Sequence, residues 1–170
     1  MKYNRDDWNA RPNRGRVALD RVDVEGIALH WPGITSPLGN PERVMSALRS
    51  WQAMHMDQRG WSDIAYQVAV DQSGNTYRLR GLRFRSGANG DQDVNERFGA
   101  MLLVVAEDEK PTEELIRATR RLIARHRQLF TRSKRIVGHG QIRPGGTACP
   151  GPHVNKLIAN GPFDPTGRIR

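Results

Sequence analysis

At 170 residues the chain is long enough for one domain with a core of its own, and needs no disulfide to staple it. Its single cysteine excludes an internal disulfide, and no apolar run approaches the length of a membrane span. With 27 Lys and Arg against 18 Asp and Glu, the net charge of +9 favours a polyanionic partner or else describes a solvated arginine-rich surface.

The opening stretch MKYNRDDWNARPNRGR is polar and charged, without the apolar run of a signal peptide, so a soluble chain with no export signal is expected. Residues 1–21 read as an N-terminal extension. VEGIALH (24–30) is a short apolar run closed by WPG, a buried strand ending in a turn. NPERVMSALRSWQAMHM opens with Asn40 as a helix cap and Pro41 in the first turn, and Val44, Leu48, Trp51 and Met54 form its inward face.

IAYQVAV (64–70), the turn DQSGN and TYRLR read as a β-hairpin. FGAMLLVVAE (98–107) is a strand covered on both faces. PTEELIRATRRLIARHRQLF (111–130) is a helix, with acidic residues in its first turn and basic residues crowding its end, as the helix dipole favours. Leu115, Ile116, Thr119, Leu122, Ile123, Leu129 and Phe130 supply its buried stripe. RIVGH is a short strand and GPHVNKLI a final helical turn or two. The order β-α-β-β-β-α-β-α predicts a single α/β domain, a central mixed sheet flanked by helices. Residues 161–170, turn-rich, read as a loose tail or the start of a linker.

The stretch VGHGQIRPGGTACPG (137–151) places Cys149 ten positions after His139 across a span rich in glycine and proline. Cys and His are the usual ligands of zinc, and a catalytic site needs three protein ligands with one position open. His30, at the end of another predicted strand, completes such a set with His139 and Cys149. The bland alternative is a cysteine packed as a small hydrophobe and strand-end histidines bonded to backbone. His55 and His126 fall within amphipathic helices and read as packing or surface residues. His153 is held stiffly by the intervening PGP and ranks below His30 as a ligand.

Four stretches together resemble the zinc-dependent N-acetylmuramoyl-L-alanine amidases of the type 2 family, which includes phage amidase lysozymes and animal peptidoglycan recognition proteins. They are GIALHWPG, GWSDIAYQVAVDQSGNTYRLRG, VVAEDEKPTEELIRATRRLIARH and IVGHGQIRPGGTACPG, and they span roughly 22 to 158. The resemblance implies a zinc amidase domain over residues 22–160, with Zn2+ held by His30, His139 and Cys149. It also implies a catalytic tyrosine at Tyr66. Thr147 stands where many members carry lysine, and is expected to help stabilise the oxyanion through its hydroxyl. Trp31, Trp61, Arg78, Arg80 and Asn89 are expected to contact substrate.

The implied reaction is hydrolysis of the amide joining N-acetylmuramic acid to L-alanine, with peptidoglycan as partner and anionic cell-wall polymers attracted by charge. A monomeric phage endolysin is expected, waiting in the host cytoplasm without membrane insertion. The alternative is a non-catalytic peptidoglycan-binding module; members of that kind usually lack a zinc ligand, whereas Cys149 is present. A nucleic-acid partner is not expected, because no aromatic or helix-turn-helix readout element accompanies the charge.

Overall fold

The longest apolar run forms the middle of the molecule. FGAMLLV is β4 (Phe98–Val104), buried along its whole length because helices cover both of its faces. The computed structural model describes residues 1–167. β1 (Gly26–His30) and β2 (Val68–Asp71) flank β4, each parallel to it. β5 (Arg135–Gly138) pairs parallel with β1, and β3 (Thr76–Arg78) antiparallel with β2. The sheet order is therefore β3-β2-β4-β1-β5, the expected mixed sheet of a single α/β domain.

Strand alternation divides the core between the two faces. Met101 and Leu103 of β4, with Ile27 and Leu29 of β1, pack against α3 (Glu113–Leu129) and α4 (Pro152–Asn160). Leu102 and Val104 pack with Val44 and Leu48 of α1 (Pro41–Ala53) on the other face. The caps follow the sequence. Asn40 Oδ1 accepts from Arg43 N–H at 2.9 Å, and Pro41 occupies a first-turn position where no amide hydrogen is needed. Thr112 Oγ1 accepts from Leu115 N–H at 3.1 Å, so α3 starts two residues later than the pattern suggested.

One helix went unforeseen. α2 (Gln92–Arg97) has six residues, too few for an amphipathic stripe, although Asp91 caps it by accepting from Val94 N–H at 2.8 Å. The N-terminal extension, residues 1–21, is fastened to the domain: Trp8 is fully buried and donates through Nε1 to the Arg78 carbonyl at 3.0 Å.

The C-terminal segment is corrected as far as residue 167. It is not loose, because Phe163 is buried in the core beside α3 and Asp164 pairs with Arg127 at 2.8 Å. A single aromatic anchor inside a turn-rich stretch outweighs the composition. The rest of the expected tail, 168–170, lies outside the described residues. No helix among the described residues is long and apolar enough to cross a membrane.

Candidate metal centre

Sheet register brings the two histidines together. Leu29 of β1 lies opposite Gly138 of β5, so His30 and His139 sit side by side at the C-terminal ends of neighbouring parallel strands. Their ring centroids are 4.4 Å apart. In open α/β sheets this edge is where ligands bind. His30 faces away from the α3 side because Ile27 and Leu29 already point there.

Cys149 arrives on the loop that leaves His139. Gly140 N–H donates to the Cys149 carbonyl at 2.8 Å. Only glycine allows that approach, since a Cβ at Gly140 would run into the Thr147 carbonyl. Beyond the thiol, Gly151 adopts φ 86 against the Trp31 ring, where a Cβ would lie 2.7 Å from ring carbons. Cys149 Sγ is 3.7 Å from His30 Nδ1, and one donor atom from each of His30, His139 and Cys149 falls within 4.8 Å of the others.

The hydrogen bonds leave one nitrogen of each imidazole for the centre. His30 Nε2 lies 2.9 Å from Asn89 Oδ1, which leaves Nδ1 toward the thiol. His139 Nε2 is buried without a protein partner among the described residues. Burial, reinforced by His139, pushes His30 down to about 3 against the opposing Asn89 bond. Burial and then the Arg143 charge push His139 down to about 4. Both rings are therefore neutral at pH 7 and carry lone pairs. Burial pushes the Cys149 thiol up to about 11, moderated by the Trp31 N–H at 3.4 Å and by Arg143. Two neutral imidazoles and one ionisable thiol, with no carboxylate in the group, fit a three-ligand zinc site with one open position. An ion there would also satisfy His139 Nε2, a buried atom whose isolation is otherwise costly.

Tyr66 stands at the edge of this group, its ring 5.3 Å from that of His30 at 64°. Burial, with Cys149 adding, pushes its phenol up, so it remains an O–H donor. Thr147 lies on the turn that carries Cys149. Its Oγ1 accepts from Cys149 N–H at 3.4 Å, shaping the ligand turn.

The expected substrate residues separate. Trp61 stacks on His55 at 5.0 Å and lines an open groove of ≈ 400 Å³ with Ser62, Arg80, Arg85, Gly90 and Asn95. Arg80 borders the groove, but its guanidinium donates to the carbonyls of Ile64, Arg85 and Asp63 at 2.6, 3.0 and 3.2 Å. It is a brace rather than a free carboxylate receptor. Trp31 is also reassigned: its amide serves the thiol and its ring packs on Gly151. Arg78, on β3, shares a separate cleft with Met1, Arg83 and Arg125. Asn89 is fully buried and contacts His30 instead of a groove.

Arg143 escaped the sequence reading, whereas His55 packs as expected. His55, held neutral by burial at about 4, accepts from Ala65 N–H at 3.3 Å and supports Trp61 from behind. Arg143 packs its stem on Gly90 and carries the positive charge felt by His139 and Cys149. Its signal was available: it is the one charged residue between the two later ligands.

Residues 20–152 match the family described as N-acetylmuramoyl-L-alanine amidase. The pig (Sus scrofa) protein named N-acetylmuramoyl-L-alanine amidase is 27% identical over 159 residues, covering 91% of this chain, which spans only 26% of that protein. Peptidoglycan-recognition protein SC1a/b of Drosophila simulans is 29% identical over 150 residues, covering 87% of this chain and 78% of that protein. Among solved structures, peptidoglycan recognition protein-LE in complex with tracheal cytotoxin superposes with a TM-score of 0.82 at 23% identity, over 95% of this chain and 94% of that one. Wild-type Drosophila PGRP-LB gives 0.80 at the same identity and coverage. The structural likenesses establish a shared fold. With the match extending over most of its length, the chain belongs to the N-acetylmuramoyl-L-alanine amidase family.

Proposed function

We propose that this chain hydrolyses the amide between N-acetylmuramic acid and L-alanine in peptidoglycan, with zinc held by His30, His139 and Cys149. The observation that carries the reading is the convergence of the three donor atoms within 4.8 Å in a chain of this family. Relatives named for peptidoglycan recognition, one of them in complex with tracheal cytotoxin, support the substrate class.

Zinc bound there supplies Lewis acidity, polarising the lactyl carbonyl and acidifying water toward a pKa of ~7. Tyr66 keeps its proton at neutral pH and donates it in a hydrogen bond to the carbonyl oxygen as charge develops there. Thr147 holds the Cys149 turn. The fixed positive charge at the rim comes from Arg143, whose stem crosses Gly90. The groove beside Trp61 receives the stem peptide, and the net charge of +9 draws the chain to anionic wall polymers.

Digestion of purified peptidoglycan tests the reaction. New alanine amino groups without new reducing sugars are expected, with the release stopped by a chelator and restored by zinc. Retention on peptidoglycan with no new amino groups would identify a binding module instead, and new reducing ends would exclude an amidase.

A further inference from the structure

We propose that Asn89 is the positioning residue of this centre: it fixes which nitrogen of His30 meets the metal, and through that sets metal affinity. The affinity half rests on the zinc-amidase reading, whereas the tautomer half is a property of the metal-free chain.

The orientation of the Asn89 amide is dictated by its neighbours. Its Nδ2 lies 2.8 Å from the Phe98 carbonyl and 3.3 Å from Ser86 Oγ. A carbonyl oxygen only accepts, so the NH2 end of the amide must face it. Oδ1 is then the end 2.9 Å from His30 Nε2. An amide oxygen also only accepts, so Nε2 carries the hydrogen. A neutral imidazole has one N–H, which leaves the Nδ1 lone pair turned toward Cys149 Sγ at 3.7 Å.

Asn89 is itself clamped. Its N–H donates to Asn95 Oδ1 at 3.0 Å, and Ser86 Oγ donates to the same oxygen at 2.9 Å. Asn95 belongs to α2, started by Asp91. The short helix therefore has a purpose: it holds the loop residue that orients the His30 ring. Outer hydrogen bonds of this kind are commonly worth 10–100-fold in metal affinity.

Three variants separate orientation from packing. Asn89→Leu fills the space without an acceptor. Asn89→Asp keeps the acceptor for Nε2–H but loses the donors to Phe98 and Ser86. Asn89→Ser withdraws the acceptor while remaining polar, and replaces the leucine variant if that one does not fold. Two readouts are taken: imidazole 15N shifts of His30 in chelator, and zinc affinity by competition with a chromogenic chelator.

Wild type is expected to show the Nε2–H tautomer, retained in Asn89→Asp and mixed in Asn89→Leu or Asn89→Ser. Zinc affinity should fall about 10–100-fold in the leucine or serine variant and stay within a few-fold of wild type in the aspartate one. An Nδ1–H tautomer in wild type overturns the proposal. So does an unchanged affinity in a folded leucine or serine variant, or an equal loss in all three. A wild-type chain that takes up no zinc contradicts the amidase reading and the affinity half, while the 15N shifts still decide the tautomer half.

Discussion

Two of the buried polar clusters among the described residues are treated oppositely by the fold. The Asp63 carboxylate is fully paired: it accepts from Arg5 at 2.8 Å, from Gln52 at 2.7 Å and from Ile64 N–H at 2.8 Å. That cluster closes on itself and ties the N-terminal segment to α1 and the chain leading into β2. Around His30 and His139 only His30 Nε2 is paired, with Asn89, while His30 Nδ1 faces Cys149 and His139 Nε2 is unsatisfied among the described residues. Leaving a buried polar atom unpaired costs free energy, which the closed cluster avoids and the open one bears. An orphaned nitrogen alone is no metal site, however. His126 Nε2 is equally orphaned, but that ring packs against Gly99 and joins no ligand group among the described residues.

Breaking the closed cluster should have the largest effect on stability. Asp63→Ala leaves the Arg5 charge and the Gln52 amide without their partner, at a cost of about 3–5 kcal/mol. A fall in Tm of roughly 10 °C is expected, with zinc content unchanged when measured below the transition. A shift under ~2 °C would show that the cluster fastens nothing.

His126 should respond to pH. Burial, with Arg127 adding, pushes it down to about 4, whereas an unfolded imidazole protonates near ~6.5. Its neutral form is thus favoured by folding. The stability it contributes is complete above the unfolded value and drains away as the pH falls toward 4, by about 3 kcal/mol in all. Urea midpoints followed from pH 7 to pH 4 should fall less steeply in His126→Asn than in wild type; parallel curves would remove the assignment.

Changes in the open cluster should spare stability and strike turnover. Tyr66→Phe is expected to lower kcat about 10²-fold, the usual scale for one oxyanion donor, while the chain keeps its zinc and its Tm. Arg143→Ala is expected to cost about tenfold, with a weaker effect at high salt, as befits a rim charge. Equal activity in Tyr66→Phe would leave the metal as sole stabiliser of the oxyanion.

What the sequence made legible followed from periodicity and caps. β1, β4, α1 and α3 announce themselves through apolar runs or stripes, and Asn40 caps α1 as read. The grouping of His30, His139 and Cys149 was reachable because the two histidines end apolar strands and the cysteine is unique. Their meeting depends on register, which pairs Leu29 with Gly138 across a separation no local pattern encodes. α2 was missed because six residues show no period, although Asp91 signals its cap. Trp8 and Phe163 lie in polar, turn-rich stretches whose composition conceals a single buried ring. Asn89 and Arg80 were found as residues, but their hydrogen-bond partners were not legible. The direction of one polar side chain is settled by carbonyls such as those of Phe98 and Ile64, brought in by tertiary folding.

The open cluster is tested most directly by counting metal. Wild type and Cys149→Ser are exposed to zinc, freed of excess and analysed for bound metal alongside their release of alanine amino groups from peptidoglycan. About one zinc per chain with release of those groups is expected for wild type, and loss of both in Cys149→Ser with Tm in chelator unchanged. A wild-type chain that holds no zinc, or a serine variant that cleaves as well as wild type, would contradict the assignment of His30, His139 and Cys149 as a catalytic metal site.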